Sequence, residues 1–524
     1  MWQDTEEARF ERYEQYLKKC PLLGAASREV SRQSPPGGEA AGTRSGGADG
    51  RLPDRDEGKG GEEKAEIIGG VCDRVLAPAL HSYVLWVLKE AMAGGKKRLY
   101  FLARDAFFMY EAAEKYCRAF DLPIECRYVS FSRYSVRIPL YQFDFDEALG
   151  YICRGGIDVT MDKILNRAGL AEAEKEKVLE ELREKHSFSP DRQAFLPYAE
   201  LAKIREMLEE CEPFRTFVLQ HSREALPAFE GYLTQEGLLD EIPMAVVDSG
   251  WVGSMQKLLN RAVRLCREQR DRKEDPETAG CGGEIRETGR TECGEEKENF
   301  LEGYYWGLYE LPGDVDADTY HCYFFSPEGD RKEKVYFSNC LFEAVFSAPH
   351  GMTMGYCRKD GAYEPVYAEI TAEHRKFMEN IGERFSRYGD SLILETERQT
   401  EDEQGSGMKK FEFLASRMDR ETVENLLGLF MAQPTRAEAE AFGSLPFSDD
   451  VIDYGGQELA AILSEEELEA NHAGRKILSR LGIRNEPVRE SAWYEGSAVR
   501  GGEHVSRHLR QYRLYKRLLY LAKR

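Results

Sequence analysis

The chain has 524 residues, of which 42% are hydrophobic, and its 26 Phe and 27 Tyr supply enough apolar surface for a sizeable core, so a fully disordered chain is excluded. Its 72 basic and 94 acidic residues give a net charge of −22, which argues against nucleic-acid binding because neutralising phosphates needs clustered positive charge. No apolar run reaches the roughly 18 residues of a membrane span. The first 20 residues lack the apolar core of a signal peptide, and the 12 cysteines include no CxxC pair, so we expect a reduced, cytoplasmic protein.

Shifts in composition divide the chain into six parts. Two polar, Gly-containing stretches, 25–66 and 268–299, have almost no large apolar residue. They cannot offset the entropy of ordering and are predicted to be disordered. The division is an N-terminal helix (1–24), a disordered insertion (25–66), the first part of an α/β domain (67–146), a helical cap-like insertion (147–240), the second part of that domain (241–367, with a disordered loop at 268–299) and a mostly helical C-terminal region (368–524).

Short apolar runs alternate with helical patterns in both parts of the α/β domain. Residues 98–105, 127–133 and 243–248 are predicted strands, and a helical pattern follows the first and the third of them. Further strands are predicted over 303–310 and 320–327. Strands that alternate with helices pair in parallel and place helices on both faces of the sheet. The fold prediction is therefore an α/β protein with a Rossmann-like parallel sheet.

Charged residues follow the first two predicted strands. Arg104 and Asp105 end the first strand, and ligands of open parallel sheets bind outside such carboxyl ends. A carboxylate there can hold a metal ion or act as a general base, and a guanidinium can clamp a phosphate. Asp105 can equally cap the helix that begins at Ala106. Ser132 and Arg133 follow the second strand as candidate ligand-binding residues, and the alternative for Arg133 is an ordinary surface arginine.

The third predicted strand ends at Asp248 and leads through a glycine-containing turn into a helix. Asp248 is a second candidate for a catalytic or metal-binding carboxylate, and glycines let the backbone approach an anion at the first turn of a helix. The alternative is an ordinary strand-to-helix turn, with Trp251 in the core rather than stacked on a sugar or base. The candidate ligand-binding residues of this segment are Ser249, Gly250, Trp251, Gly253, Ser254 and Gln256.

A tight turn around Pro349 and Gly351 places His350 beside the backbone. Histidine titrates near neutrality, so His350 is a candidate acid, base or ligand, and the alternative is a structural histidine. Glu343 lies seven residues earlier, where it can share a face of a short helix.

The segment 505–524 contains seven basic residues and no acidic residue, with apolar residues at helical spacing. A basic amphipathic helix of this kind can lie on an anionic membrane surface. It can also dock on the acidic body of its own protein, which is the interpretation we favour.

Four ordered strings resemble one protein family: FLARDAFF, SFSRYSVRIP, VVDSGWVGSMQ and LFEAVFSAPHGMTMGY. They are similar to the carboxyl-terminal portion of the predicted HAD-superfamily hydrolases of bacterial surface-polysaccharide gene clusters, over roughly residues 76–370. The resemblance implies a Rossmann-like unit in a bacterial protein of capsule or cell-wall glycan assembly. The positions that match the family's motifs are Arg104, Asp105, Arg133, Asp248, Gly250, Gly253 and His350.

These observations together predict an enzyme that acts on a phosphorylated or nucleotide-linked sugar. Asp105, Asp248 and His350 would be catalytic, and the two aspartates would hold Mg²⁺, which prefers a few carboxylates together with phosphate oxygens. Full-length relatives carry a separate HAD module with a nucleophilic Asp, which the residues before 70 do not provide. The alternative is therefore a non-catalytic module that binds a glycan precursor or a glycosyltransferase, with 505–524 as a possible contact to that partner or to a membrane.

Overall fold

A computed structural model of the chain describes most of its residues. The described ranges are 3–33, 55–156, 159–274, 301–329, 331–401, 406–447, 457–480 and 489–522.

Helices precede and surround a central sheet. The part before the sheet contains α1 (Glu6–Leu17), α2 (Pro21–Gln33), α3 (Arg55–Val71) and α4 (Ala77–Ala93), and a π-helical turn at Cys72–Leu76 joins the last two. The first α/β part contains β1 (Arg98–Leu102), α5 (Phe107–Phe120), β2 (Glu125–Val129) and α6 (Arg133–Leu140). The helical insertion contains α7 (Phe145–Ile152), α8 (Met161–Arg167), α9 (Glu172–His186), α10 (Tyr198–Glu209) and α11 (Glu212–Gln235).

The second half completes the sheet and adds the C-terminal helices. It begins with β3 (Met244–Trp251), α12 (Ser254–Glu274), β4 (Leu301–Leu308), β5 (Tyr320–Phe325), α13 (Arg331–Tyr336), α14 (Asn339–Phe346) and the hairpin of β6 (Thr353–Lys359) and β7 (Ala362–Tyr367). The C-terminal region contains α15 (Ala372–Gln399), α16 (Gly407–Ser416), α17 (Arg420–Ala432), α18 (Arg436–Gly443), β8 (Pro446–Phe447), β9 (Gln457–Glu458), α19 (Glu465–Ala470), α20 (Ala473–Arg480), α21 (Tyr494–Gly501) and α22 (Val505–Ala522).

The central sheet has five parallel strands in the order β2-β1-β3-β4-β5. Leu99 of β1 lies between Cys126 of β2 and Ala245 of β3, so the chain leaves β1 first towards one side and later towards the other. This reversal between β1 and β3 is a topological switch point, the position where open α/β sheets have a crevice outside the carboxyl ends of their strands. The predicted α/β, Rossmann-like architecture is confirmed.

Both faces of the sheet are covered because its strands are apolar on both sides. In β1, Leu99 and Phe101 point into the core shared with α4, α5 and α15, whereas Tyr100 and Leu102 point into the core shared with α11 and α12. Successive side chains of a strand alternate between faces, so a continuous apolar run is the pattern of a strand buried on both sides.

The helices between β2 and β3 have a hydrophobic cluster of their own. It includes Ile152, Ile164, Leu182 and Phe214, all fully buried. The helical character predicted for 147–240 is confirmed, and its separate core is the basis for treating this insertion as a structural unit.

The boundaries predicted before residue 67 need correction. The predicted helix 1–24 is two helices, because the first ends at Leu17 and Pro21 starts a new one after three intervening residues. Helix α2 continues to Gln33, inside the predicted disordered insertion, because its small buried residues pack against α15, where the Tyr388 hydroxyl donates to the Leu23 carbonyl at 2.7 Å. Helix α3 covers the other end of the insertion from Arg55 onward.

Part of the second predicted disordered segment is also helical. Helix α12 extends to Glu274, so 268–274 belong to it, and the rest of 268–299 lies outside the described residues, as do 34–54 of the first insertion.

The basic C-terminal helix docks on the protein itself, as we favoured. The Lys516 ammonium is buried and donates to the carbonyls of Val335 and Phe337 at 3.2 and 3.1 Å, and it also reaches the Glu495 carboxylate at 3.1 Å. His508 on the same face has no exposed surface.

One described helical stretch, Gly61–Ala93, has the length and composition of a membrane span. Its most apolar window is 89% buried by the rest of the fold, which is the environment of a core helix.

Candidate functional site

Residues from three strand ends meet at the crevice between β1 and β3. Arg104 and Asp105 follow β1, Arg133 begins the helix after β2, and Asp248 lies on β3 four residues after its start. Because the three strands are adjacent and parallel, their carboxyl ends open on the same edge of the sheet.

Ser249 connects the two aspartates. Its hydroxyl donates to the Asp105 Oδ2 at 2.6 Å, and its backbone N–H donates to the Asp248 Oδ1 at 2.9 Å. The prediction that Asp105 and Asp248 lie close together is confirmed. The alternative role of Asp105 as a helix cap is wrong, since α5 begins after Ala106 and receives no side-chain capping bond.

A third carboxyl group comes from helix α14. The Trp251 indole N–H donates to the Glu343 Oε1 at 2.5 Å, and the charge of Asp105 acts on Glu343. The sequence contains a signal for this residue, because Glu343 is the only charged side chain in the apolar helix NCLFEAVF. Its place beside the aspartates depends on packing of α14 and could not be inferred from that signal.

Burial and mutual repulsion raise the pKa values of these carboxyl groups. Burial raises the pKa of Asp105, although the hydrogen bond from Ser249 opposes the rise. Burial and then the charge of Asp105 raise the pKa of Asp248 to about 7. The same two causes raise the pKa of Glu343 to about 8. Two carboxyl groups of the cluster therefore titrate in the neutral range, as catalytic acids and bases do.

The three residues that carry these carboxyl groups are not fully buried. Asp105, Asp248 and Glu343 are each half-buried. Residues that are partly exposed and have strongly perturbed pKa values are candidates for a ligand site.

Two guanidinium groups face the cluster without pairing to it. Arg104 and Arg133 are half-buried, and their charges lower the pKa values of both Asp105 and Glu343. Across the described ranges, neither guanidinium forms an ion pair within 4 Å or donates a hydrogen bond to the protein. Their planar sets of N–H donors are therefore available to an anion.

His350 lies at the border of the cluster in a defined tautomer. Its Nδ1 is 2.8 Å from the Gly351 carbonyl oxygen, which can only accept, so Nδ1 carries the proton. Its Nε2 then accepts from the Tyr128 hydroxyl at 2.7 Å. Burial lowers the pKa of His350, and the charge of Arg104 adds to this effect, so the ring is neutral at pH 7.

His374 is a site neighbour that the sequence reasoning missed. It lies in the first turn of α15, and its Nδ1 is buried without a hydrogen-bond partner in the described structure. Burial lowers its pKa, and the charge of Arg104 lowers it further, so the two side chains are within electrostatic reach. Tyr128 was likewise missed, because a tyrosine in an apolar strand is indistinguishable from a core residue.

Two of the candidate ligand-binding residues, Ser132 and Trp251, have structural roles. Ser132 is the N-cap of α6: its hydroxyl accepts from the Ser135 N–H at 2.9 Å and donates to the Thr353 carbonyl at 2.6 Å. Trp251 is only 6% exposed and packs against Phe342 in the core, so it cannot stack on a sugar. These hydrogen bonds and contacts place Arg133 and Glu343 rather than a ligand.

The other ligand-binding candidates of the segment that starts at Asp248 contact protein. Gln256 is fully buried, and its amide oxygen accepts from the Tyr305 hydroxyl at 2.8 Å. Gly250 belongs to β3, where a Cβ would lie 2.6 Å from the Gly307 carbonyl oxygen of β4, and a Cβ on Gly253 would lie 2.7 Å from the Tyr320 ring. The glycines are thus required by packing, and Ser254 is the half-buried first residue of α12.

The cluster fits a cation only together with a ligand. Among the described residues, no group of three or more His, Cys, Asp or Glu side chains is arranged to hold a metal ion. Asp105 and Asp248 supply the hard oxygen ligands that suit Mg²⁺, which commonly binds through one or two carboxylates plus substrate phosphates.

Comparison of the chain with protein-family models and with curated proteins found no match.

Proposed function

We propose that the protein is an enzyme that acts on a phosphorylated or nucleotide-linked sugar. The observation that carries the proposal is the pair of unpaired guanidinium groups, Arg104 and Arg133, facing three half-buried carboxyl groups at the sheet crevice. Free guanidinium groups in a desolvated crevice favour a doubly charged oxyanion, because bidentate N–H···O bonds match phosphate geometry.

The carboxyl cluster supports acid–base chemistry beside the bound phosphate. Glu343, with a pKa of about 8, holds its proton near neutral pH and can donate it to a leaving oxygen. Asp248, with a pKa of about 7, can do the same when no cation is bound. Asp105 accepts a hydrogen bond from the Ser249 hydroxyl, which opposes the rise in the pKa of Asp105, and we assign it the role of the base. Neutral His350 can relay a proton through the Tyr128 hydroxyl.

Mg²⁺ would be held by Asp105 and Asp248 and would neutralise part of the phosphate charge. A cation at this position also favours the ionised form of both aspartates, which their surroundings otherwise oppose.

The phosphate in this proposal follows from the arginines, whereas the sugar follows from the resemblance to HAD-superfamily proteins of bacterial surface-polysaccharide gene clusters. In that setting the substrate is a precursor of capsule or cell-wall glycan, and we propose that the reaction, a hydrolysis or a phosphoryl or glycosyl transfer, takes place in the cytoplasm.

A thermal-shift screen tests binding. Inorganic phosphate, sugar phosphates and nucleotide sugars are each added with and without Mg²⁺, and a ligand at a hundredfold excess over Kd stabilises the fold by about 2.7 kcal/mol. Arg104→Met and Arg133→Met should lose the shift, and Arg223→Met, an exposed arginine on α11, should keep it. Equal shifts in all three variants would contradict the anion site.

Product analysis tests catalysis with the ligands found in that screen. Asp105→Asn and Asp248→Asn should bind the ligand and lose turnover. Binding by the wild type without any product would instead support the non-catalytic module.

A further inference from the structure

We propose that the exposed face of helix α22 binds an anionic lipid surface. The helix docks on the protein through one side only, and the opposite side carries leucines interleaved with arginines. This inference concerns a surface that the proposed reaction does not use.

The two sides of α22 are separated by the helical period. At about 100° per residue, the buried and partly buried side chains Val505, His508, Leu509, Tyr512, Tyr515 and Lys516 share one side. The exposed side chains lie opposite, within an arc of roughly 100°. The long side chains among them are Arg507, Arg510, Leu514, Arg517, Leu518 and Leu521, which we call the α22 stripe.

The apolar members of the stripe are exposed and lie in line. Leu514, Leu518 and Leu521 are 45%, 38% and 49% exposed, one turn apart along the same line. The outer face of a surface helix ordinarily carries polar and charged residues only. Three leucines on that face, in a helix already held by its other side, indicate a second apolar environment.

The charge of the stripe selects the partner. Arg507 reaches the Glu469 carboxylate at 3.1 Å, whereas Arg510 and Arg517 form no ion pair within 4 Å in the part of the chain that the structure describes. The segment 505–524 has no acidic residue, although the protein as a whole has a net charge of −22. A locally cationic, leucine-bearing stripe on an acidic protein is complementary to anionic headgroups over an acyl layer, where a helix lies in the plane of the interface.

Vesicle co-sedimentation of the full chain tests the proposal. The wild type should sediment with mixed phosphatidylcholine–phosphatidylglycerol vesicles, weakly or not at all with phosphatidylcholine alone, and less at high salt. Arg510→Gln with Arg517→Gln should weaken binding about 25-fold, at about fivefold for each arginine. Equal binding to neutral and anionic vesicles, or none by the wild type, would overturn the proposal.

Matched variants separate the stripe from overall charge and hydrophobicity. Arg183→Gln with Arg223→Gln removes two exposed arginines from the helical insertion and should leave binding unchanged. Replacing the three stripe leucines by Ser should abolish binding, whereas Leu394→Ser, at a 45% exposed position on α15, should not. Circular dichroism checks that each variant is folded.

Sedimentation velocity tests the alternative that a second copy of the chain covers the α22 stripe. If the leucine replacements dissociate an oligomer while the wild type ignores vesicles, the stripe is a subunit interface and the lipid proposal is wrong.

Discussion

Replacing Asp248 by Asn should stabilise the fold at alkaline pH. Burial and the charge of Asp105 raise the pKa of Asp248 from 3.8 to about 7, so the folded state disfavours the ionised form. A group whose pKa is higher in the folded state contributes stability that is fully present below its unfolded pKa and is lost as the pH rises through its folded pKa. The wild type therefore loses stability between pH 3.8 and about 7, and the Asn variant does not.

The size of the effect follows from the shift. At about 1.4 kcal/mol per pKa unit, raising the pH from about 5.5 to 7 costs the wild type about 2 kcal/mol, with no further cost above that pH. The Asn side chain keeps an oxygen that can accept the Ser249 N–H, which now reaches Asp248 at 2.9 Å, so the local geometry is preserved.

Urea unfolding of both proteins at about pH 5.5 and about pH 8.5 measures the difference in the free energy of unfolding. That difference should grow by about 2 kcal/mol in favour of the variant at the higher pH. Asp318→Asn, at an exposed position, is the control and should show no such growth. Parallel behaviour of wild type and Asp248→Asn at the two pH values would refute the assignment of a neutral-range carboxyl to this site.

Three further changes test other contacts. Ionisation of Glu343 should alter the fluorescence of the hydrogen-bonded Trp251 with a midpoint near pH 8, and Glu343→Gln should remove that transition from a fluorescence titration. Ser249→Ala breaks the hydrogen bond that lowers the pKa of the aspartate after β1, so the acidic limb of a pH–rate profile should move to higher pH. Glu438→Gln leaves the buried Arg9 without its ion-pair partner at 2.9 Å and should cost about 3–5 kcal/mol in urea unfolding, because an uncompensated charge stays inside.

The sheet was predictable because its strands are apolar on both faces. Each predicted strand overlaps an observed one, and their alternation with helices implied parallel pairing. Strand β3 continues past Asp248 to Trp251, although the glycines there are typical of a turn. Gly250 is needed because the β4 backbone at Gly307 passes close by, and a single sequence does not reveal which distant segment a glycine faces.

The β6–β7 hairpin was missed although its turn was visible. Asp360 and Gly361 both have positive φ, as the two central residues of a type I′ turn require, and an Asp-Gly pair between alternating side chains is a hairpin signal. The hairpin matters for the site because it follows His350 directly and its Tyr356 hydroxyl donates to the Ser130 carbonyl after β2 at 2.9 Å.

The two aspartates of the site could be paired from the sequence, whereas Glu343 could not. Asp105 follows β1 and Asp248 lies near the end of β3, and the carboxyl ends of adjacent parallel strands lie at the same edge of the sheet. Glu343 reaches the same place through the packing of α14, on which strand order has no bearing.

In the described part of the chain, the carboxyl and guanidinium groups at the crevice do not pair with each other. Half-buried carboxylates and guanidinium groups at electrostatic range normally pair, since pairing offsets their desolvation. Here Ser249 holds two carboxyl groups and Trp251 holds the third, while the two guanidinium groups stay apart from them. Under the proposed function, a ligand that carries a phosphate for the arginines and hydroxyl groups for the carboxyl groups would satisfy both sets at once, whereas a bare anion would satisfy only one. We therefore expect sugar phosphates to give larger thermal shifts than inorganic phosphate in the proposed screen.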